Sequence, residues 1–280
     1  NALIPDPLRS PSSIEYVLGI GGTLGKNLVY RVDAVRREGR DFYSLRRDMS
    51  TGQVTGPAGE EYDVGIYENT NVAVREYTGL HSSFAWRTGN LNLAGNWTWS
   101  HSLGNFVGEA SGSGPGTAGF DQYPEYFDVR WNQPTGDLQG DQRHRVRLVA
   151  TYDLRIGSAF TITPGLVQSY DSGLPYEAAA GVRSFYYVTN PGYVAPPTTV
   201  NYFFSGRGAY RTDDVFSTDL SLNLSFNIGP VELFVIPQVT NVFNSTAVDG
   251  VNTSEFVGTG TTPNAQGLVR FNPFTTVPIE

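Results

Sequence analysis

The sequence predicts an all-β fold, with an antiparallel up-and-down sheet of about eight strands. Charged residues make up only 16% of its 280 residues, whereas Gly, Tyr and Phe are abundant, and this composition favours strands and turns. Several segments alternate between apolar and polar residues. Short glycine turns also alternate with long connecting segments along the chain. These three observations define the predicted fold class.

The clearest strand covers residues 216–228. Its large apolar residues share one parity, and serine, aspartate and asparagine occupy the other. Successive side chains of a strand point to opposite faces, so this segment has one apolar and one polar face. Residues 91–100 and 143–154 show the same pattern. Weaker strands are predicted at 13–22, 27–37, 73–86, 159–170 and 231–243.

The connections fall into two classes. Four tight turns, each containing glycine, join the strands in pairs at 24–27, 87–90, 155–158 and 227–230. Long segments follow the pairs at 38–72, 103–141, 171–212 and 244–280. Short turns on one rim and long loops on the other are typical of a transmembrane β-barrel. A soluble sheet with one wet face would show the same alternation, but it seldom needs four such long loops on one side.

The barrel interpretation assigns each face of the strands. Apolar side chains are predicted to contact the lipid of a Gram-negative outer membrane, and polar ones to line the lumen. The predicted lipid-facing residues are Leu91, Leu93, Trp97, Leu220, Leu222, Leu224 and Phe226. The predicted lumen-facing residues are Arg143, Arg145, Arg147, Asp219 and Asn223. The arginines would pair with the barrel wall or would line a path for an anionic solute, and the family resemblance given below implies a plug domain as a further partner.

Composition excludes several function classes. The net charge of −8 and the lack of a basic run argue against nucleic-acid binding. No apolar stretch reaches the roughly 18 residues of a transmembrane helix, but a barrel strand needs only about 9–11 residues. The sequence has no cysteine and no histidine pair at metal-binding spacing, so it predicts no metal site. It has no G-x-S-x-G elbow and no Walker-type loop, and no set of nucleophile, base and orienting group can be assembled, so no catalytic residues and no enzyme are predicted.

The long loops carry two further signals. Their aromatic residues could capture a ligand, or could pack loop on loop into an extracellular cap. The candidate ligand-binding residues are Tyr123, Tyr126, Phe127, Trp131, Tyr186, Tyr202 and Phe203. One loop is acidic and could hold calcium, although its spacing fits no fixed ligand pattern and a solvated loop is the simpler interpretation. Its carboxylates are Asp121, Glu125, Asp128, Asp137 and Asp141.

Short motifs resemble TonB-dependent receptor barrels, in particular the Oar-like group that carries a carboxypeptidase-regulatory-like domain. Residues 140–145 resemble the D-x-R-H-R stretch of that family, and residues 240–244 resemble the N-x-F-N ending of a late strand. Residues 214–220 look like the strand before that ending, and residues 13–28 like a mid-barrel hairpin. The resemblance implies a plug-occluded barrel whose loops bind a scarce nutrient (a metal chelate, peptide or glycan) and whose transport is energised through TonB.

The chain also departs from that family. A barrel of this kind has about 22 strands, and only eight are predicted here. No plug, TonB box or closing aromatic strand is visible, so residues 1–280 are interpreted as a partial barrel domain from the later part of a larger barrel. We therefore expect an open sheet, without pairing between 13–22 and 231–243. A passive porin, a surface-binding barrel and a soluble all-β binding module stay as alternatives.

Overall fold

A large antiparallel sheet dominates the structure. The computed structural model describes residues 2–4, 7–107, 117–118, 122–128, 132–157, 159–253, 262–263 and 267. In chain order the strands are β1 (Ala2–Leu3), β2 (Ser12–Leu24), β3 (Leu28–Arg40), β4 (Phe42–Arg46), β5 (Gln53–Thr55), β6 (Glu61–Asp63), β7 (Gly65–Thr70), β8 (Arg75–Thr88), β9 (Leu91–Gly104), β10 (Thr117–Ala118), β11 (Gly136–Asp137), β12 (His144–Tyr152), β13 (Leu154–Ile156), β14 (Phe160–Asp171), β15 (Pro175–Tyr176), β16 (Ala179–Arg183), β17 (Thr199–Phe203), β18 (Tyr210–Arg211), β19 (Val215–Ile228), β20 (Val231–Val235) and β21 (Gln238–Val239). A 3₁₀ turn covers Ser184–Tyr186. None of the described helical residues form a segment that is long and apolar enough to cross a membrane.

The long strands follow one another across the sheet in the order β2-β3-β8-β9-β12-β14-β19-β20, and neighbouring strands are antiparallel. The tight turns contain Gly25, Gly89, Gly157 and Gly229, all with positive φ, a conformation that glycine adopts without steric cost. In such a meander the four tight turns lie at one end of the sheet, and the described parts of the three long segments between the hairpins lie at the other. The predicted eight-strand pattern and its two unlike rims are therefore confirmed.

The sheet is open within the described residues. At one margin β2 pairs with β3, and at the other β20 and β21 pair with β19. No described residue joins β2 to β20 or β21. The expected absence of pairing between these two strands is thus confirmed for the described part of the chain.

Two strands are interrupted where the sequence predicts continuity, and both breaks lie at a proline. The ladder between β19 and β20 stops before Pro237 and resumes in β21 in the same register. Likewise, the register between β12 and β14 places Pro164 opposite Tyr152, where β12 ends. Proline has no N–H to donate to a ladder. The last strand, predicted at about 231–243, ends at Val239, because Asn241 has a φ of 47° and leaves the extended conformation.

The two faces of the large sheet differ in chemistry. The strand register places Ser83, Asn96 and Arg147 side by side on one face, which we call the polar face. It places Leu166 beside Leu220 on the opposite face, which we call the apolar face. The apolar face is the more exposed one along β19, where Leu220 is 45% exposed while Ser225 on the polar face is 6% exposed. This inverts the arrangement of a water-soluble protein.

The buried hydrophobic residues lie outside the eight long strands. They occur in the three long segments that connect the strands at one end, as at Phe42, Tyr126 and Val182. These segments were predicted as loops, but they contain small sheets, β7-β4-β10, β5-β6, β15-β18 and β16-β17, and β1 from the start of the chain adds to the first of them. We call the described residues of 41–74, 105–143 and 172–214 the loop layer. The compact core of the chain therefore sits in the loop layer and not between sheets.

Candidate functional site

An aromatic cluster forms the centre of the loop layer. Tyr123, Tyr126, Tyr193 and Val200 are buried together, and Tyr123 and Tyr193 meet edge to face with ring centroids 4.7 Å apart. Such edge-to-face contacts add to the stabilisation from apolar burial. Because these residues come from the second and third long segments, the cluster fastens those two segments to each other.

Asp63 connects the first long segment to the same cluster. Its carboxylate accepts hydrogen bonds from the backbone N–H groups of Val194 and Ala195, at 2.9 and 3.0 Å, and from the Tyr123 hydroxyl at 3.3 Å. Burial raises the pKa of Asp63, but the hydrogen bonds from Ala195 and Val194 outweigh it, and the net pKa lies below the ordinary value. A single carboxylate thus joins all three segments.

Two tyrosine hydroxyls complete the connections. Tyr193 donates to Glu125 Oε2 at 2.8 Å, and Tyr187 donates to the Tyr126 carbonyl at 3.1 Å. Burial, and then the bond to Glu125, raise the pKa of Tyr193 well above its usual range. Burial also raises the pKa of Tyr187 to about 12. Both hydroxyls therefore stay protonated, and remain donors, at physiological pH.

A charged cluster, which we call the rim clamp, holds the loop layer to the strands. Its charged residues are Asp137, Asp141, Arg143 and Arg211, and Nε2 of His101 lies 2.9 Å from Asp137. Arg143 lies 2.8 Å from Asp137 and 3.0 Å from Asp141, and Arg211 pairs with the same two carboxylates. Asp141 is completely buried, and it accepts a hydrogen bond from the Ser102 N–H. The rim clamp gives a physical role to the aspartate and first arginine of the D-x-R-H-R stretch.

Arg145, the second arginine of that stretch, and Arg147, two residues beyond it, pair with one aspartate on the neighbouring strand. Arg145 and Arg147 lie 3.1 and 2.6 Å from opposite oxygens of Asp171. They belong to the polar face of β12, as predicted, and their partner is part of the sheet. Their contact with a plug domain stays a prediction.

Elsewhere on the polar face, further charges are paired within the wall. Arg37 binds Glu15, and Arg31 lies 2.6 Å from Asp33. The His81 ring lies between the Tyr77 hydroxyl, at 3.2 Å, and Thr98 Oγ1, at 3.3 Å. These pairs give the polar face a largely neutralised surface.

The predicted ligand-binding aromatics have different environments. Tyr123, Tyr126 and Phe203 are buried, so they support the loop-on-loop packing that the sequence left as the alternative. Phe127 packs against the aromatic cluster. Tyr186 and Tyr202 are partly exposed, and their role in ligand binding stays a prediction. Trp131 lies outside the described residues.

The predicted facing residues on β19 follow the two faces. Asp219 accepts hydrogen bonds from the Ser217 hydroxyl and from the Asn241 backbone N–H. The side-chain Oδ1 of Asn223 is enclosed without a partner among the described groups. On the apolar face Leu222 is 36% and Phe226 43% exposed. Trp97 is similarly exposed, whereas Leu91, Leu93 and Leu224 are half-buried. Their contact with lipid stays a prediction.

The acidic loop residues already have protein partners. Asp137 and Asp141 bind arginines, and Glu125 binds a tyrosine hydroxyl. Asp121 lies outside the described residues. In the described ranges no three His, Asp or Glu side chains come close enough to hold a metal ion. Sequence reasoning missed Asp63 and Arg211, because their partners are distant along the chain.

Asp63 makes the loop layer sensitive to acid. A carboxylate with a depressed pKa in the folded state stabilises it above the unfolded pKa of about 4, and that stabilisation is lost as the pH falls through the lower folded pKa. We expect proteolysis of the loop layer by an acid-active protease to rise below about pH 4. Asp63→Asn should remove this pH dependence. At neutral pH it should lower the free energy of local unfolding of the loop layer by roughly 1.5–3 kcal/mol.

Asp249→Asn is the matched control, because that aspartate is exposed and has no partner among the described residues. It should leave both the pH profile and the rate of cleavage unchanged. Identical acid profiles for wild type and Asp63→Asn would contradict the role given to Asp63.

Taken together, an antiparallel meander with an exposed apolar face, tight turns on one rim and a packed loop layer on the other is the architecture of an outer-membrane barrel wall. A family model described as "Outer membrane beta barrel domain" matches residues 1–174, which is more than half of the chain. The chain belongs to this family. Its location is therefore the outer membrane of a Gram-negative cell.

Two solved structures have a similar arrangement. The FrpB iron transporter from Neisseria meningitidis (F3-3 variant) is 11% identical with a TM-score of 0.45, over 87% of this chain and 29% of that chain. The outer membrane transporter YddB from Escherichia coli is 15% identical with a TM-score of 0.48, over 96% of this chain and 32% of that chain. This chain thus spans less than a third of either structure. No curated protein matches.

Proposed function

We propose that this chain forms part of the barrel wall of an Oar-like, TonB-energised uptake receptor, and that its loop layer binds a scarce nutrient. The observation that carries the proposal is the loop layer itself. Three long segments are joined by one aromatic cluster, one carboxylate and the rim clamp. A passive pore needs no such connected layer, whereas a receptor needs a surface that is preorganised for its ligand.

The open sheet supports a larger barrel. In lipid, an unpaired strand edge would leave backbone N–H and C=O groups without partners, at several kcal/mol each. Both margins of the sheet, β2 and the β20–β21 pair, lack a further neighbour among the described residues. We propose that additional strands of the complete protein pair with these margins, and that its plug domain fills the lumen along the polar face.

The pairing of charges on the polar face is compatible with a plug. Arg145 and Arg147 share Asp171, so two cations compete for one anion and retain some capacity for a further partner. An acidic group on a plug could satisfy this excess charge. This pairing is part of the proposal, together with TonB as the partner that delivers energy.

The test separates an occluded receptor from a passive porin. The complete protein is inserted into a planar lipid bilayer, and ion conductance is recorded before and after the addition of urea. A concentration of about 4 M is enough to unfold a small domain such as the plug and leaves the barrel folded. We expect no steady conductance before urea, open pores once urea has unfolded the plug, and retention of the periplasmic domain of TonB on the immobilised protein. Steady conductance without urea, together with no TonB binding, would establish the passive porin.

A further inference from the structure

A cavity opens on the polar face at the end of the sheet that carries the loop layer. It has a volume of about 600 Å³, and we call it the rim cavity. Four neighbouring strands contribute to its wall through Ser13 of β2, Arg37 of β3, Tyr77 of β8 and Ser102 of β9. Leu138 of the loop layer also lines it. The rim cavity therefore lies where the strands meet the loops.

Arg75 supplies an unpaired positive charge to this cavity. It lines the cavity, it is exposed, and its side chain makes no ion pair or hydrogen bond with any described residue. The adjacent Glu76 does not neutralise it, because that carboxylate belongs to the apolar face and bonds Arg36 at 2.6 Å. The carboxylate of Glu15 is held by Arg37. The rim cavity thus has an excess of positive charge.

Hydroxyl groups around the cavity are also available. Ser13 and Ser102 line it from the polar face, and neither hydroxyl donates a hydrogen bond to another described residue. Guanidinium and hydroxyl donors on several sides of one cavity are the groups that recognise carboxylates and phosphates. Arginine is suited to this because its planar fork can bind two oxygens of one anion at once.

We propose that the rim cavity is a binding subsite for the carboxylate or phosphate group of an anionic solute, with Arg75 as the charged partner and the serine hydroxyls as additional donors. The inference deepens the proposed function, because it gives the nutrient a chemical class. It is independent of energy supply, since binding to the cavity requires neither TonB nor transport.

The experiment measures anion binding by the complete protein in detergent, using titration calorimetry at constant ionic strength. Citrate and inorganic phosphate are the two probes, and comparison of their affinities decides which anion the cavity prefers. Arg75→Gln should weaken binding of the preferred probe tenfold or more, while Arg75→Lys should retain part of the affinity, because the charge stays but the fork is lost.

Arg87→Gln is the matched control. Arg87 lies on the same face of the same strand, 12 residues away, and its side chain has no partner among the described residues. At the rise of a strand this places it roughly 40 Å from Arg75, at the opposite rim. Its replacement should leave the affinity unchanged.

Three results would overturn the inference. Neither probe binds, Arg75→Gln binds as tightly as the wild type, or Arg87→Gln weakens binding as much as Arg75→Gln. If the bilayer experiment shows an occluded, TonB-binding protein while both probes fail to bind, the proposed anion subsite is contradicted and the proposed receptor function is supported. If the probes bind through Arg75 and the pore conducts freely, the proposed anion subsite is supported and the proposed receptor function is contradicted.

Discussion

Replacing Leu222 by arginine should lower the free energy of unfolding of the complete barrel by roughly 2–4 kcal/mol, the cost of a cation near the midplane of a bilayer. Leu222 lies at the middle of β19, on the apolar face. The strand register places it between Pro164 of β14 and Pro237, whose carbonyl accepts the Leu222 N–H. The described residues that neighbour Leu222 on this face include no carboxylate to pair with the new guanidinium. The cost is measured by urea unfolding in lipid vesicles.

Two other arginine substitutions serve as controls for depth and facing. Ile228 is on the same face but next to a tight turn, where the cost of arginine should fall to roughly 0–1 kcal/mol. Asn223 is one residue from Leu222 and on the polar face, so arginine there should cost much less than at Leu222. Equal costs at Leu222 and Asn223 would contradict the assignment of the apolar face to lipid.

The sheet was predictable because its signals are local. Alternation needs only neighbouring residues to define a face, and one glycine with positive φ is enough to define a hairpin turn. The errors are also local in origin. Pro164 and Pro237 interrupt ladders that alternation alone extends through them, and Asn241 ends a strand by adopting a left-handed conformation.

The loop layer was not predictable, since its interactions are between residues far apart in sequence. Asp63 meets Val194 across 131 residues, and Arg211 meets Asp141 across 70. The abundance of aromatic residues in the loops indicated either that the loops pack against one another or that they bind a ligand. Composition alone could not distinguish these two roles. The D-x-R-H-R resemblance located Asp141 and Arg143, yet it contained no information on Arg211, which completes the rim clamp.

The rim clamp should depend on Asp141 more than on any exposed carboxylate. Its charge is fully buried and lies against two guanidinium groups, those of Arg143 and Arg211. Asp141→Asn removes one of the two carboxylates that neutralise these arginines in a buried site. The free energy that holds the loop layer in place should fall by roughly 3 kcal/mol. The loss should be local, because Asp137 still pairs with both arginines and the strands keep their ladders.

Hydrogen exchange of the complete protein in detergent distinguishes this local loss from general unfolding. In Asp141→Asn, amides of 172–214 should exchange faster, by about a hundredfold for a loss of this size, while those of β9 and β14 keep their protection. Asp249→Asn, which removes an exposed aspartate without a described partner, should leave both regions unchanged. Uniform acceleration across strands and loops would mean that Asp141 stabilises the whole barrel. Unchanged exchange in 172–214 would mean that Asp141 does not help to hold the loop layer, because the loss of its ion pairs with Arg143 and Arg211 should let those amides open more often.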